Sequence, residues 1–337
     1  MDFLSADRLP WLQSAQQRLR AAFGAQRLPH SLLLLSAPGL GAEQLANWIT
    51  ALVLCESPNP RPCGTCPSCQ LLRADSHPDS FVVRLEENAQ QIKIDQVRTL
   101  IESLSLKSYR GGYKVGVIEG AEALNANAAN AFLKTLEEPT GNTLLIMIAR
   151  PTHRLPATIA SRCLRLALAA PSAPDGLAWL LAQPQASAMT PDSGKAALAL
   201  AAGAPLLALE FDAAGVAALD TEMQESLRQL AAGSVDVTLL AERWMKSDLD
   251  LRIRWLENWI TQRVHTSLGT AALRQSAEPV RLPAALLKPK IRGLFELLDA
   301  ARELRRLAST SMNQQLALEA LLLGGRTALA NQVNDHL

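Results

Sequence analysis

Between Ser31 and Leu54 the chain passes from a short apolar run through a glycine turn into a helical pattern, and this stretch limits the fold most. Ser31 to Leu35 follows the break at Pro29-His30 and is mostly apolar, as a buried parallel strand is. Ser36-Ala37-Pro38-Gly39-Leu40-Gly41 comes next, and Ala42 to Leu54 reads as a helix. A strand, a glycine turn and a helix in that order open a phosphate-loop fold. The same turn also joins strand to helix in unrelated folds, and on this stretch alone both readings stand.

The rest of the first half repeats the alternation. Pro10 to Phe23 reads as a helix with Trp11, Leu12, Ala15, Leu19 and Phe23 on one face. Phe81 to Leu85, Lys114 to Glu119 and Leu144 to Ala149 are strand candidates. A helix is marked by Ile94, Val97, Ile101 and Leu104, and another runs from Asn125 to Glu137 before Pro139 stops it. Strands alternating with helices predict a parallel sheet covered on both faces. Strand signals fade after about Leu166, Pro171-Ser172-Ala173-Pro174 reads as a linker, and short Ala/Leu helices fill 175–210. Longer amphipathic helices follow, one carrying Leu251, Trp255, Leu256, Trp259 and Ile260, another Leu294, Leu297, Leu298, Ala301 and Leu304. The fold class is therefore α/β with a phosphate-loop parallel sheet, then a small helical domain, then an all-α domain. At 337 residues two or three domains are expected, and 4% aromatics favour helices over sheet sandwiches.

The turn departs from a working loop, G-x-x-x-x-G-K-[ST], in which the Lys meets phosphate and the hydroxyl ligates magnesium. Ser36 stands at the first Gly, Gly41 keeps the last, Ala42 replaces the Lys and Glu43 the hydroxyl. Ala cannot pair with phosphate, and Glu43 puts a negative charge where polyphosphate would lie. The strand that normally ends in Asp-Glu ends here in Glu119-Gly120-Ala121-Glu122, losing the second acid. Lys93, Lys107 and Lys114 exist, but none sits at the loop. A self-sufficient ATPase with an atypical loop would need such a residue.

Cys55, Cys63, Cys66 and Cys69 have the spacing C-x7-C-x2-C-x2-C. Four thiolates can close a tetrahedral zinc site with no open position, so the expected ion is a structural Zn2+ in a knob inserted at about 55–69. His77 is a more distant substitute ligand. Only Arg61 and Arg73 flank the knob and the net charge is +1, which speaks against an independent zinc-dependent nucleic-acid module. No signal peptide or membrane-length apolar run is visible, and a soluble, cytoplasmic protein is expected. Ser161-Arg162-Cys163 follows the fourth strand. A guanidinium at a subunit boundary can reach a neighbour's γ-phosphate; from spacing alone, a surface arginine pairing with a local acid is the plainer reading.

Taken in line, Ser36 to Glu43, the four cysteines, Leu133-Lys134-Thr135-Leu136-Glu137-Glu138-Pro139, Ser161-Arg162-Cys163 and Asn313 to Leu322 resemble the clamp-loader subunits of bacterial DNA polymerase III, of the AAA+ class. Loss of the loop lysine resembles the delta-prime branch. Nearly the whole chain is covered. The resemblance implies AAA+ modules at 1–166 (nucleotide fold with the zinc module) and 167–210 (helical lid), and a helical collar at 211–337 within a ring of five. It implies a rigid stator that lacks its own ATPase activity, binds no ATP productively and acts beside the delta and gamma/tau subunits. Arg162 would act in trans in a gamma/tau site with Ser161 supporting its loop. The ring, as part of the polymerase holoenzyme, would place the sliding clamp on primer-template DNA. The active relatives carry a polar sensing residue after the fourth strand, where this chain reads Ala149-Arg150-Pro151.

Overall fold

A computed structural model describes residues 3–86, 89, 91–151, 155–211, 213–268, 289–307 and 313–333. It divides into two compact units, Met1–Ser172 and Ala173–Leu337.

The first unit runs α1 (Gln13–Gly24), β1 (Ser31–Leu35), α2 (Ala42–Leu54), α3 (Pro67–Arg73), β2 (Ser80–Val83), α4 (Ile94–Ser105), β3 (Lys114–Glu119), α5 (Ala126–Glu137), β4 (Thr143–Ala149), α6 (Ala157–Ala160) and β5 (Leu164–Ala167). All strand pairs are parallel, in the order β2-β3-β4-β1-β5. All of β4 is buried, as expected of a central strand covered on both faces. On one face Leu33, Ile118, Leu145 and Met147 pack with Val97, Leu100 and Leu104 of α4 and Phe132 and Leu136 of α5. The alternate residues Leu32, Leu34, Val117 and Ile146 are buried on the opposite face, where α2 packs on β3 and β4. Gly116 in β3 lets α4 approach: a Cβ there would lie 3.0 Å from Leu104 Cδ1 and 3.2 Å from Leu100 Cδ1.

Several boundaries differ from the pattern read in the sequence. Pro10–Leu12 is a 3-10 turn ahead of α1, since Pro suits a first helical turn and no side chain caps it. The second strand ends at Val83: the Arg84 carbonyl accepts from Gln96 Nε2 of α4 at 3.0 Å, and its side chain pairs with Glu119 on the neighbouring strand. β5 has no counterpart in the sequence reading. It is four residues long, largely exposed and held by β1 on one side, so it lacks the apolar run that reveals a buried strand. The cysteine segment also contains α3, with Pro67 at its first position and Cys66 at its N-cap.

The second unit is helical among the described residues: α7 (Ala173–Leu181), α8 (Pro191–Leu200), α9 (Pro205–Ala208), α10 (Ala213–Ala232), α11 (Val237–Met245), α12 (Leu249–Leu268), α13 (Pro289–Leu307) and α14 (Gln314–Val333). Trp255, Leu256 and Ile260 of α12 are buried, as are Leu294, Leu297, Leu298, Ala301 and Leu304 of α13. Arg252 of α12 is buried against Glu222 of α10 at 2.6 Å, and Trp255 Nε1 donates to Asp220 at 2.9 Å. Gly325 in α14 would put a Cβ 3.0 Å from Leu297, so a small residue lets the last two helices meet. Asn313 accepts from the Leu316 N–H and starts α14. Among the described residues no helix is long and apolar enough to cross a membrane.

Candidate functional site

The glycine turn lies at the carboxyl end of β1, where an open parallel sheet places its ligands. Gly41 caps α2 at φ +88° and Gly39 has φ +78°, a region that favours glycine. The turn is covered from the N-terminal side. A Cβ on Gly41 would stand 2.7 Å from Leu9 Cδ1 and 3.1 Å from Leu12 Cδ1, and Trp11 Nε1 donates to the Leu40 carbonyl at 2.9 Å. Ala42, at the position of the missing Lys, is 2% exposed. Glu43 is exposed in the first turn of α2, where its own carboxylate meets the positive helix end that would otherwise attract phosphate.

The remaining acids are engaged as well. Glu119 accepts from Arg84 Nε and Nη2 at 2.7 and 3.1 Å, and this contact raises the Arg84 pKa above its usual value. Glu122 lies 3.5 Å from Arg150. The carboxylates that would hold a cation beside the loop are therefore balanced by guanidiniums. Lys114 is buried and donates to the carbonyls of Leu104 and Leu106, and Lys93 pairs with Glu86 at 2.9 Å. Both lysines are committed elsewhere.

The four cysteines meet. Cys55 ends α2, Cys63 lies in the following loop, and Cys66 and Cys69 sit at the N-cap and first turn of α3. Their sulfurs all lie within 4.8 Å of one another, with Cys55–Cys66 at 3.9 Å and Cys63–Cys69 at 4.0 Å. Sulfurs bound at about 2.3 Å to one tetrahedral ion stand about 3.8 Å apart, so the group can hold a metal ion. Backbone N–H groups of Cys63, Cys66 and Cys69 point at sulfurs at 3.3–3.4 Å, the kind of contact that favours thiolates. Such bonds from Thr65 and Cys66 lower the Cys63 pKa to about 6, whereas burial pushes Cys55 and Cys69 up. Buried thiolates need a cation beside them, which this donor set is built to surround. His77 stays outside: its Nε2 is 2.6 Å from Ser68 Oγ and its Nδ1 accepts from the Asp79 N–H at 3.1 Å.

Arg162 stands at the other end of the sheet from the turn. It comes two residues before Leu164, which pairs with Leu32 at the start of β1, whereas the turn begins at Ser36. From residue 30 to 36 the strand rises roughly 20 Å. Arg162 is 34% exposed in its side chain and bonds Glu137 through Nε at 2.8 Å and through Nη2; its Nη1 donates to the Thr158 carbonyl at 2.8 Å. Ser161 Oγ donates to the Thr158 carbonyl at 3.2 Å, closing the same bend. The partners of Glu137, Arg84 and Leu9 lie across long stretches of chain, so local spacing does not reveal these contacts.

A family profile described as DNA polymerase III, delta subunit, matches residues 11–172. A Pseudomonas aeruginosa protein named DNA polymerase III subunit delta' is 35% identical over 94% of this chain and 97% of its own. The Escherichia coli protein of that name is 31% identical over 93% and 94%. A DNA polymerase III gamma subunit-related protein of Thermotoga maritima aligns with TM-score 0.43 and 16% identity over 92% of this chain and 99% of its own. On its match to those full-length relatives, the chain belongs to the DNA polymerase III delta-prime subunit family.

Proposed function

We propose that this chain is the non-hydrolysing stator of a clamp-loading ring, lending Arg162 to the ATP site of a neighbouring gamma/tau subunit. One observation carries the reading: Arg162 and the glycine turn occupy opposite ends of one sheet. A guanidinium so placed cannot reach a nucleotide on its own turn, but it can meet one carried by a neighbour. The buried Ala42 and the Leu9 and Leu12 side chains over Gly41 support the second half, a turn without its own turnover. Ser161 supports the bend that carries Arg162, and Cys55, Cys63, Cys66 and Cys69 hold a structural zinc. In this reading the nucleotide-fold module is 1–166, the lid 167–210 and the collar 211–337. The ring also takes in the delta subunit and acts on the sliding clamp at primed DNA.

Reconstitution tests the assembly. Mixed with purified gamma/tau and delta subunits, the chain is expected to enter one complex whose native mass includes it. That complex should show DNA-dependent ATPase that the mixture lacking it does not. A chain that stays free, or an ATPase indifferent to it, contradicts the stator reading.

A further inference from the structure

Glu137 has no part in the scheme above, and its place is unfavourable for an acid. It is the last residue of α5, where helix carbonyls carry a partial negative charge that repels a carboxylate and attracts a cation. A residue set against its local electrostatics is compensated elsewhere. Here the compensation is Arg162, whose Nε and Nη2 both donate to Glu137 Oε1.

Both members of this pair rest on the start of β1. Ser31 Oγ donates to the Arg162 carbonyl at 2.6 Å, and His30 Nε2 bonds the carbonyl of Leu136 at 2.9 Å. The backbone beneath the pair is thereby tied to the sheet, while the guanidinium stays at the surface. A guanidinium has five N–H donors, one on Nε and two on each terminal nitrogen. Glu137 takes one from Nε and one from Nη2, and the Thr158 carbonyl takes one from Nη1. What remains is one N–H on each terminal nitrogen, two donors with which the guanidinium can meet phosphate oxygens.

We infer that Glu137 is a positioning residue for Arg162: it grips the Nε edge of the guanidinium so that these terminal donors are presented outward to the neighbour's γ-phosphate. The inference rests on the trans role proposed for Arg162. A free arginine spreads over many rotamers, and a group held near its working geometry gives a faster reaction than one that must find it.

The test uses the ring reconstituted with gamma/tau and delta subunits, its mass verified for every variant. Glu137→Ala is expected to lower kcat at the served site about tenfold, as a loosened catalytic group does, with KM for ATP unchanged. Glu137→Gln, which keeps an acceptor for Nε–H, should recover part of that loss. The double variant Glu137→Ala/Arg162→Ala should be no slower than Arg162→Ala alone, because Glu137 acts only through Arg162. An unchanged or raised kcat for Glu137→Ala overturns the inference, as does a double variant whose losses multiply. If Arg162→Ala itself costs nothing, the trans role falls and this inference with it. An Arg162→Ala deficit beside a normal Glu137→Ala rate refutes the positioning role alone.

Discussion

Arg162→Ala is expected to slow hydrolysis at the served gamma/tau site by roughly a thousandfold or more, the range in which arginine fingers act on phosphoryl transfer. The loss should fall on kcat, since the fork meets charge that develops on the transferring phosphate, and little on KM. Arg162→Lys keeps the charge but loses the planar fork, so it should recover only a small part of the rate. The measurement is single-turnover hydrolysis in a ring whose other gamma/tau sites carry inactivated phosphate loops. The Glu137 contact sharpens the expectation. In the free chain Arg162 is held by Glu137 and the Thr158 carbonyl, about one-third exposed, so no large refolding has to precede its use. An Arg162→Ala ring with unchanged kcat would remove the finger role.

Removing the metal should have the second large effect, on stability. Structural zinc in small modules contributes about 10 kcal/mol or more at neutral pH, which equals the whole stability of an ordinary domain. The segment from Cys55 to Cys69 buries little apolar surface of its own and returns the chain from the end of α2 to the sheet. Cys66→Ser separates the two tasks of that residue. Serine still caps α3, as Cys66 does by accepting from the Cys69 N–H at 3.4 Å, but it supplies no soft thiolate. Metal analysis should find one zinc per native chain and much less in Cys66→Ser. Thermal melts of the variant, and of native chain with a strong chelator, should shift down by about 10 °C or more. Native protein without zinc, or melts indifferent to chelation, would exclude a structural ion.

The parts legible in the sequence were those whose signal is local. The run Ser31–Leu35, the two glycines and the helix Ala42–Leu54 carry their own periodicity and turn chemistry, and each forms as read. The cysteines were legible for a similar reason. C-x2-C spacing at a proline-started helix brings sulfurs together with few choices of backbone, and the fourth arrives at the end of the preceding helix. What the sequence concealed depends on register and on contacts between distant segments. Arg84 finds Glu119 only because β2 pairs with β3 so that Val83 sits opposite Ile118. Leu9 and Leu12 cover Gly41 across some thirty residues of chain, although Leu12 read only as part of a helix face and Leu9 lay outside that helix. β5 owes its existence to the edge of β1 and not to its own four residues. For Arg162 the spacing favoured an ordinary ion pair with a local acid. The structure contains that pair, with Glu137, and also places the arginine away from its own turn.

The most direct measurement of the central claim, that the turn of this chain stays silent while its arginine serves another, is a calorimetric titration of the purified zinc-loaded chain with magnesium ATP, followed by assay for released phosphate. No saturable binding is expected at nucleotide concentrations up to about 1 mM, weaker than about −4 kcal/mol, and no turnover. One nucleotide bound per chain with phosphate release would contradict it.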